Sequence, residues 1–118
     1  MINIQIYCYK KNFAVQKAER FFKERRIPFQ QVDLKKHKLG MRELETFARA
    51  CKGAYFLVDR ENEDALSHPV AHTEDPQRIL AYLLENPHFL RTPIVRNGKL
   101  ATIGADEMVW KRWLENAL

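Results

Sequence analysis

The sequence predicts an α/β fold: a four-stranded mixed sheet built in the order β-α-β, a helical stretch, then β-β-α. Three observations predict it. Ile2 to Tyr7 is apolar and β-favouring, and a helical pattern follows it from Phe13 to Arg26. Phe29 to Leu34 alternates as a second strand, so a strand–helix–strand unit with parallel strands opens the chain. Towards the other end Asn97-Gly98, a strong short hairpin signal, sits between two apolar runs and is followed by a helix.

The first helix is marked by Asn12, a short polar side chain at the N-cap position. Ala14, Ala18, Phe21, Phe22 and Arg25 keep helical spacing along it, and Ile27-Pro28 breaks the pattern. Cys8 to Asn12 reads as a polar loop. After the second strand, Lys35 to Lys38 is a basic loop closed by Gly40. Met41 to Cys51 is a second helix, with Leu44, Phe47, Ala48 and Cys51 on one stripe and Gly53 as its C-cap. Ala54 to Leu57 is a short apolar segment, and Asp59 to Asp64 is acidic and expected to be mobile. Asp75 to Leu84 forms the next helix, capped by Thr73 or Asp75, with Pro76 in its first turn and Ile79, Leu80, Leu83 and Leu84 facing inward. Thr92-Pro93-Ile94-Val95 begins the third strand, with a proline bond that sequence leaves open as cis or trans. Leu100 to Ile103 returns as the fourth. The last helix carries Asp106 and Glu107 in its first turn, as the dipole prefers, and buries Val109, Trp110, Trp113, Leu114 and Ala117.

At 118 residues the chain reads as one domain, residues 1–118, with a helical insertion at about residues 40–86. Its 46% hydrophobic content is enough to fill an ordinary core. The apolar run before Lys10 and Lys11 is too short for a secretory leader, and no stretch is long enough to span a bilayer, so a cytoplasmic protein is expected. Cys8 and Cys51 are then expected as free thiols. His68 and His72 have metal-ligand spacing, but Pro69 between them argues against one helical face carrying both; no metal site is expected.

Charge is unevenly placed. Residues 1–52 hold 13 Lys/Arg against 5 Asp/Glu, whereas residues 53–118 hold 7 against 10. A basic front half suits an anionic partner such as an oxyanion, glutathione or an acidic protein surface, while no nucleic-acid motif is present. Nothing in the residues specifies an oligomeric state.

The candidate site is the start of the first helix. A strand that ends at a helix N-terminus exposes free backbone N–H groups, which favour an anion and would lower the pKa of a thiol placed there. No thiol is there: Asn12 occupies the position.

Three stretches carry a resemblance. They are Ile4 to Tyr7 with Gln16 to Ile27, then Phe29 to Leu34 with Asp33, then Glu85 to Lys99 with Ile103-Gly104. Together they resemble the thioredoxin-fold proteins of the arsenate reductase-like (ArsC/Spx) group over nearly the whole chain. The resemblance implies a thioredoxin-like sheet with a helical insertion between its halves. It also implies a catalytic cysteine at the position of Asn12, and, in two-cysteine versions, a second at Val15; both are missing. Arginines that hold the oxyanion are implied too, one of them just before the strand proline. Here Thr92 takes that place and Arg91 lies one residue earlier, while Arg60 is matched to another family arginine. Threonine before this proline is more similar to glutaredoxins, where the adjacent backbone pairs with a thiol peptide.

Two readings of function follow. In the first, the chain is a non-catalytic binding or regulatory protein, as in family members that act by binding the transcription machinery; Lys11, Asn12, Arg91, Thr92 and Pro93 would form an anion- or thiol-binding site. In the second, Cys8 replaces the missing nucleophile in a thiol oxidoreductase that uses glutathione or glutaredoxin, with Lys10 and Lys11 stabilising its thiolate. Asn12 itself can cap a helix and donate a hydrogen bond to an anion, but it cannot attack arsenate or form a thiol adduct. A third reading is a passive anion-binding domain. No cofactor is expected beyond glutathione as a co-substrate.

Overall fold

The computed structural model describes residues 2–116. Ala117, expected on the buried side of the last helix, lies outside them. The first strand, β1 (Ile4–Cys8), is central: it pairs in parallel with β2 (Phe29–Asp33) and antiparallel with β3 (Ile94–Asn97). β4 (Leu100–Ile103) pairs antiparallel with β3, giving the order β2-β1-β3-β4. Cys8, expected in the following loop, is instead the last residue of β1, opposite Asp33, and its carbonyl accepts the Leu34 N–H at 2.9 Å. The hairpin turn is centred on Gly98 and Lys99, because Asn97 and Leu100 are the paired residues; Gly98 at φ +63° supplies the conformation the first central position needs.

Each face of the sheet carries its own core. On one face α1 (Phe13–Glu24) and α5 (Glu107–Asn116) bury Ala18, Phe21, Phe22, Trp110 and Trp113 against Ile4, Ile6 and Val95. The Trp110 indole N–H donates to the Thr102 hydroxyl at 2.8 Å, which satisfies both groups in the interior. Val15, absent from the expected stripe of α1, is buried as well, whereas Arg25 lies outside with its guanidinium over the Phe21 ring.

On the other face lies the segment between β2 and β3. It holds α2 (Met41–Ala50), a 3-10 turn at Ala54–Leu57, the short α3 (Glu63–Leu66), a second 3-10 turn at Pro69–Ala71, and α4 (Pro76–Glu85). Leu44, Phe47, Leu57, Ile79 and Leu83 pack there against Tyr7 and Ile94. Asp75 caps α4, accepting the Gln77 N–H at 3.0 Å, and Thr73 in turn holds the Asp75 N–H. The acidic stretch expected to be mobile is tied down. Asp59 N–H donates to the Phe89 carbonyl at 2.8 Å, and Asn62 caps α3 while its amide donates to the His88 carbonyl.

Two helices end in the same way. The N–H of Ile27 donates to the Phe22 carbonyl, and that of Gly53 to the Ala48 carbonyl, the six-to-one bond of a Schellman cap. The left-handed residue in these caps is Arg26 (φ 56°) in one and Lys52 (φ 72°) in the other. Gly53, the expected cap, is one position too late for that role. Among the described residues no helix is long and apolar enough to cross a membrane.

Candidate functional site

The start of α1 opens on a cleft of about 430 Å³ lined by Asn12, Ala14, Tyr55, Phe56, Val58, Asp59, Arg60, Glu61, Arg91, Thr92 and Gly104. Three elements build it. The first is the N-cap of α1. Asn12 has extended backbone (φ −134°, ψ −178°), and its side-chain oxygen accepts the Val15 N–H at 2.8 Å. The same side chain points its amide at the Thr92 carbonyl, 3.4 Å away. One residue thus caps the helix and reaches the loop before β3.

The second element is that loop. The Thr92–Pro93 bond is cis. Pro93 is buried, and its carbonyl accepts the Gly104 N–H at 2.8 Å. Gly104 has φ +75°, a conformation that favours glycine, and the Arg91 guanidinium lies 4.0 Å from where a Cβ would stand. Arg91 is exposed, and no ion pair to it is formed among the described residues.

The third element is the segment from Tyr55 to Glu61, held to the residues before the proline loop. Arg91 N–H donates to the Leu57 carbonyl at 2.7 Å, and Val58 forms a β-bridge with Leu90. Arg60 stacks on Tyr55, 3.7 Å from its ring centre, and donates to the carbonyls of Tyr55 and Ala71. Its guanidinium is therefore partly spent within its own loop, whereas Arg91 keeps all its donors for a ligand. Asp59 and Glu61 set two carboxylates beside the two arginines, so the cleft carries both signs of charge.

Of the residues singled out in the sequence, Asn12, Arg91, Thr92 and Arg60 meet here. Cys8 and Lys11 do not. They line a separate hollow of about 240 Å³ with Tyr9, Val15, Asp33 and Lys35. Lys11 is engaged with Glu19 at 3.5 Å. Burial pushes the Cys8 thiol up from its ordinary value, and the carboxylates of Asp33 and Glu19 push the same way against Lys11 and Lys35. The pairing of β1 with β2 sets Cys8 opposite Asp33 and so brings that carboxylate close. Cys51 is pushed up to about 11 by burial alone, and its thiol donates to the Ala101 carbonyl.

Sequence reasoning missed Tyr55, Phe56, Asp59 and Gly104 as lining residues. The adjacent aromatics carried a signal: a short turn cannot bury two neighbouring rings, and Tyr55 and Phe56 are 46% and 49% exposed. The histidine pair is used locally, His68 accepting the Val70 N–H and His72 bonding the Leu66 carbonyl.

No protein-family model matches the sequence, and no curated protein matches it. Solved structures do. A protein named YffB superposes with a TM-score of 0.82 at 14% identity, over 93% of this chain and 97% of that one. An ArsC family related protein from Bacteroides fragilis gives 0.79 at 15% identity, over 93% and 96%. An arsenate reductase from Vibrio cholerae gives 0.77 at 17% identity, over 93% and 97%. The chain has the thioredoxin-like fold of the arsenate reductase-like proteins to which it is similar in structure.

Proposed function

We propose that this chain is a non-catalytic binding member of the arsenate reductase-like proteins, whose cleft holds a small zwitterionic thiol peptide of the glutathione type without turning it over. The observation that carries this reading is the pair of hydrogen bonds at Asn12, one to each side of the cleft. Its side chain closes the N-cap through Val15 and faces the Thr92 carbonyl, at the position to which the resemblance assigns the nucleophile. An amide there can orient a ligand but has no ionisable thiol or hydroxyl with which to attack.

The charges of the cleft supply the rest. A carboxylate of the ligand fits the free N–H groups at the start of α1 together with Arg91. An ammonium group fits Asp59 and Glu61. The exposed faces of Tyr55 and Phe56 give an apolar wall for the ligand's carbon chain.

The competing reading, a glutathione- or glutaredoxin-linked oxidoreductase that uses Cys8, is supported less well. Its thiol lines a different hollow and is held protonated by burial and by Asp33. Calorimetric titration with glutathione, phosphate and arsenate, alongside an arsenate reduction assay with glutathione and glutaredoxin, tests the proposal. Glutathione binding that is lost in Arg91→Ala and kept in Cys8→Ser, with no arsenate turnover, is the expected result. Turnover that disappears in Cys8→Ser would overturn it.

A further inference from the structure

The sheet has two open edges, and they differ. Along β2 the charges are mixed, with Glu19 and Glu24 standing beside Arg20, Lys23 and Arg26, and Pro28 precedes the strand. Along β4 they are not. A groove of about 1030 Å³ runs along this strand between the C-terminal end of α2 and the face of α5. Five cations line it, Arg49, Lys52, Arg91, Lys99 and Arg112, against the single carboxylate of Asp106. None of the five forms an ion pair among the described residues.

The floor of the groove is the strand itself. The two-residue turn makes Asn97 and Leu100 a hydrogen-bonded pair, and the alternation continues through Val95 and Thr102 to the bond from Gly104 N–H to the Pro93 carbonyl. The backbone groups of Ala101 and Ile103 therefore point away from β3, into the groove. The thiol of Cys51 on the Ala101 carbonyl, at 3.7 Å, marks the same direction. Leu100, 53% exposed, adds apolar surface, and the largely buried Trp113 is among the lining residues.

We propose that the β4 groove is a docking site for an acidic peptide segment, which adds to the sheet as an extended fifth strand. Main-chain groups of the segment pair with those of Ile103 and of Ala101, whose carbonyl keeps a second lone pair beside the Cys51 thiol, its alternate apolar side chains settle towards Leu100, and its carboxylates meet the four cations outside the cleft, Arg49, Lys52, Lys99 and Arg112. An exposed edge flanked by unpaired positive charge repels the edge of a second copy of this chain while attracting an acidic strand. The site extends the proposed binding role without resting on the cleft's ligand, because Lys99 and Arg112 do not line the cleft.

Fluorescence anisotropy with a labelled decapeptide of alternating Glu and Val is the test. The parent peptide is expected to bind, and the same peptide with Lys for Glu is not. Of two further peptides, N-methylated on all Val or on all Glu residues, at least one is expected to lose affinity about tenfold or more, since one alternate set of N–H groups faces the protein. The doubly substituted protein Lys99→Glu, Arg112→Glu, with unchanged circular dichroism, is expected to lose the peptide while its glutathione titration stays as in the parent. Failure of the parent peptide to bind, undiminished binding of both methylated peptides, or displacement by a thymidylate oligomer at matching affinity would each overturn the proposal; the last would mark a phosphate-backbone site.

Discussion

The Asn12 amide lies 3.4 Å from the Thr92 carbonyl oxygen, so a single side chain joins the first turn of α1 to the loop that opens β3. Eighty residues separate them in sequence. The contact ties the N-terminus of the helix to the proline loop across the cleft.

Replacing that amide by a thiol is the most direct probe of the local field. In Asn12→Cys the sulfur would face the free N–H groups of the first turn, and its pKa is expected about one unit or more below the ordinary value of about 8.5. Alkylation as a function of pH, read by mass spectrometry with Cys51 as the internal control, measures it. An introduced thiol no more reactive than Cys51 would show that the helix terminus exerts no useful field.

Cys8 is expected to behave oppositely. Burial first, then Asp33 and Glu19, keep it protonated near neutral pH, and Cys51 is pushed up to about 11. Both native thiols should alkylate more slowly than a free cysteine at pH 7 to 8. Asp33→Asn removes one of the opposing carboxylates and should speed Cys8 while leaving Cys51 unchanged. An equal effect on both thiols would point to loosened structure instead.

Glu43 gathers a second network. It accepts from the Gly40 N–H at 3.0 Å, from the Tyr7 hydroxyl at 3.0 Å and from His37, while Arg96 donates to the Tyr7 oxygen. Burial alone would raise the pKa of Glu43, but the bonds from Gly40, His37 and Tyr7 outweigh it and hold it below the ordinary 4.5. A lowered carboxylate stabilises the fold above its unfolded value, and that contribution is lost as pH falls through the folded value. Glu43→Gln should therefore cost about 1 to 2 kcal/mol at neutral pH, with the two stability curves converging in acid. Urea denaturation across the pH range checks this. Tyr7 is raised above 10.0, chiefly by burial, so its contribution is present below that value and is lost as alkaline pH passes the folded pKa.

The left-handed caps predict gains. Arg26 and Lys52 hold φ of 56° and 72°, where a Cβ is unfavourable. Arg26→Gly and Lys52→Gly should each stabilise the protein by about 1 kcal/mol, less a few tenths for unfolded-state entropy. Thermal melts of the two variants and their combination would read it, and the effects should add, since the two caps close separate helices. Lys52 also lines the β4 groove, so its variant is expected to bind the acidic decapeptide more weakly, whereas the Arg26 variant is not.

The sequence by itself determined the order of the elements and most of the core. Period and punctuation are local properties: Asn12, Pro76, Asp75 and the Asn97-Gly98 turn act on their immediate neighbours, and Leu44, Phe47, Ile79, Leu83, Trp110 and Trp113 followed from spacing alone. Asn12 was singled out through the helix terminus and Arg91 and Thr92 through the resemblance, and the fold brings the three to one cleft. Tertiary structure decided what those local signals cannot carry. It put Cys8 in the strand opposite Asp33, and so in a different hollow from Asn12, because strand register depends on a partner far along the chain. It brought the Tyr55 to Glu61 segment beside Arg91 through bonds between loops, and it left the backbone of Ala101 and Ile103 without a neighbouring strand. Which face a side chain takes is written along the chain; which elements stand across from it is settled only when the sheet closes around β1.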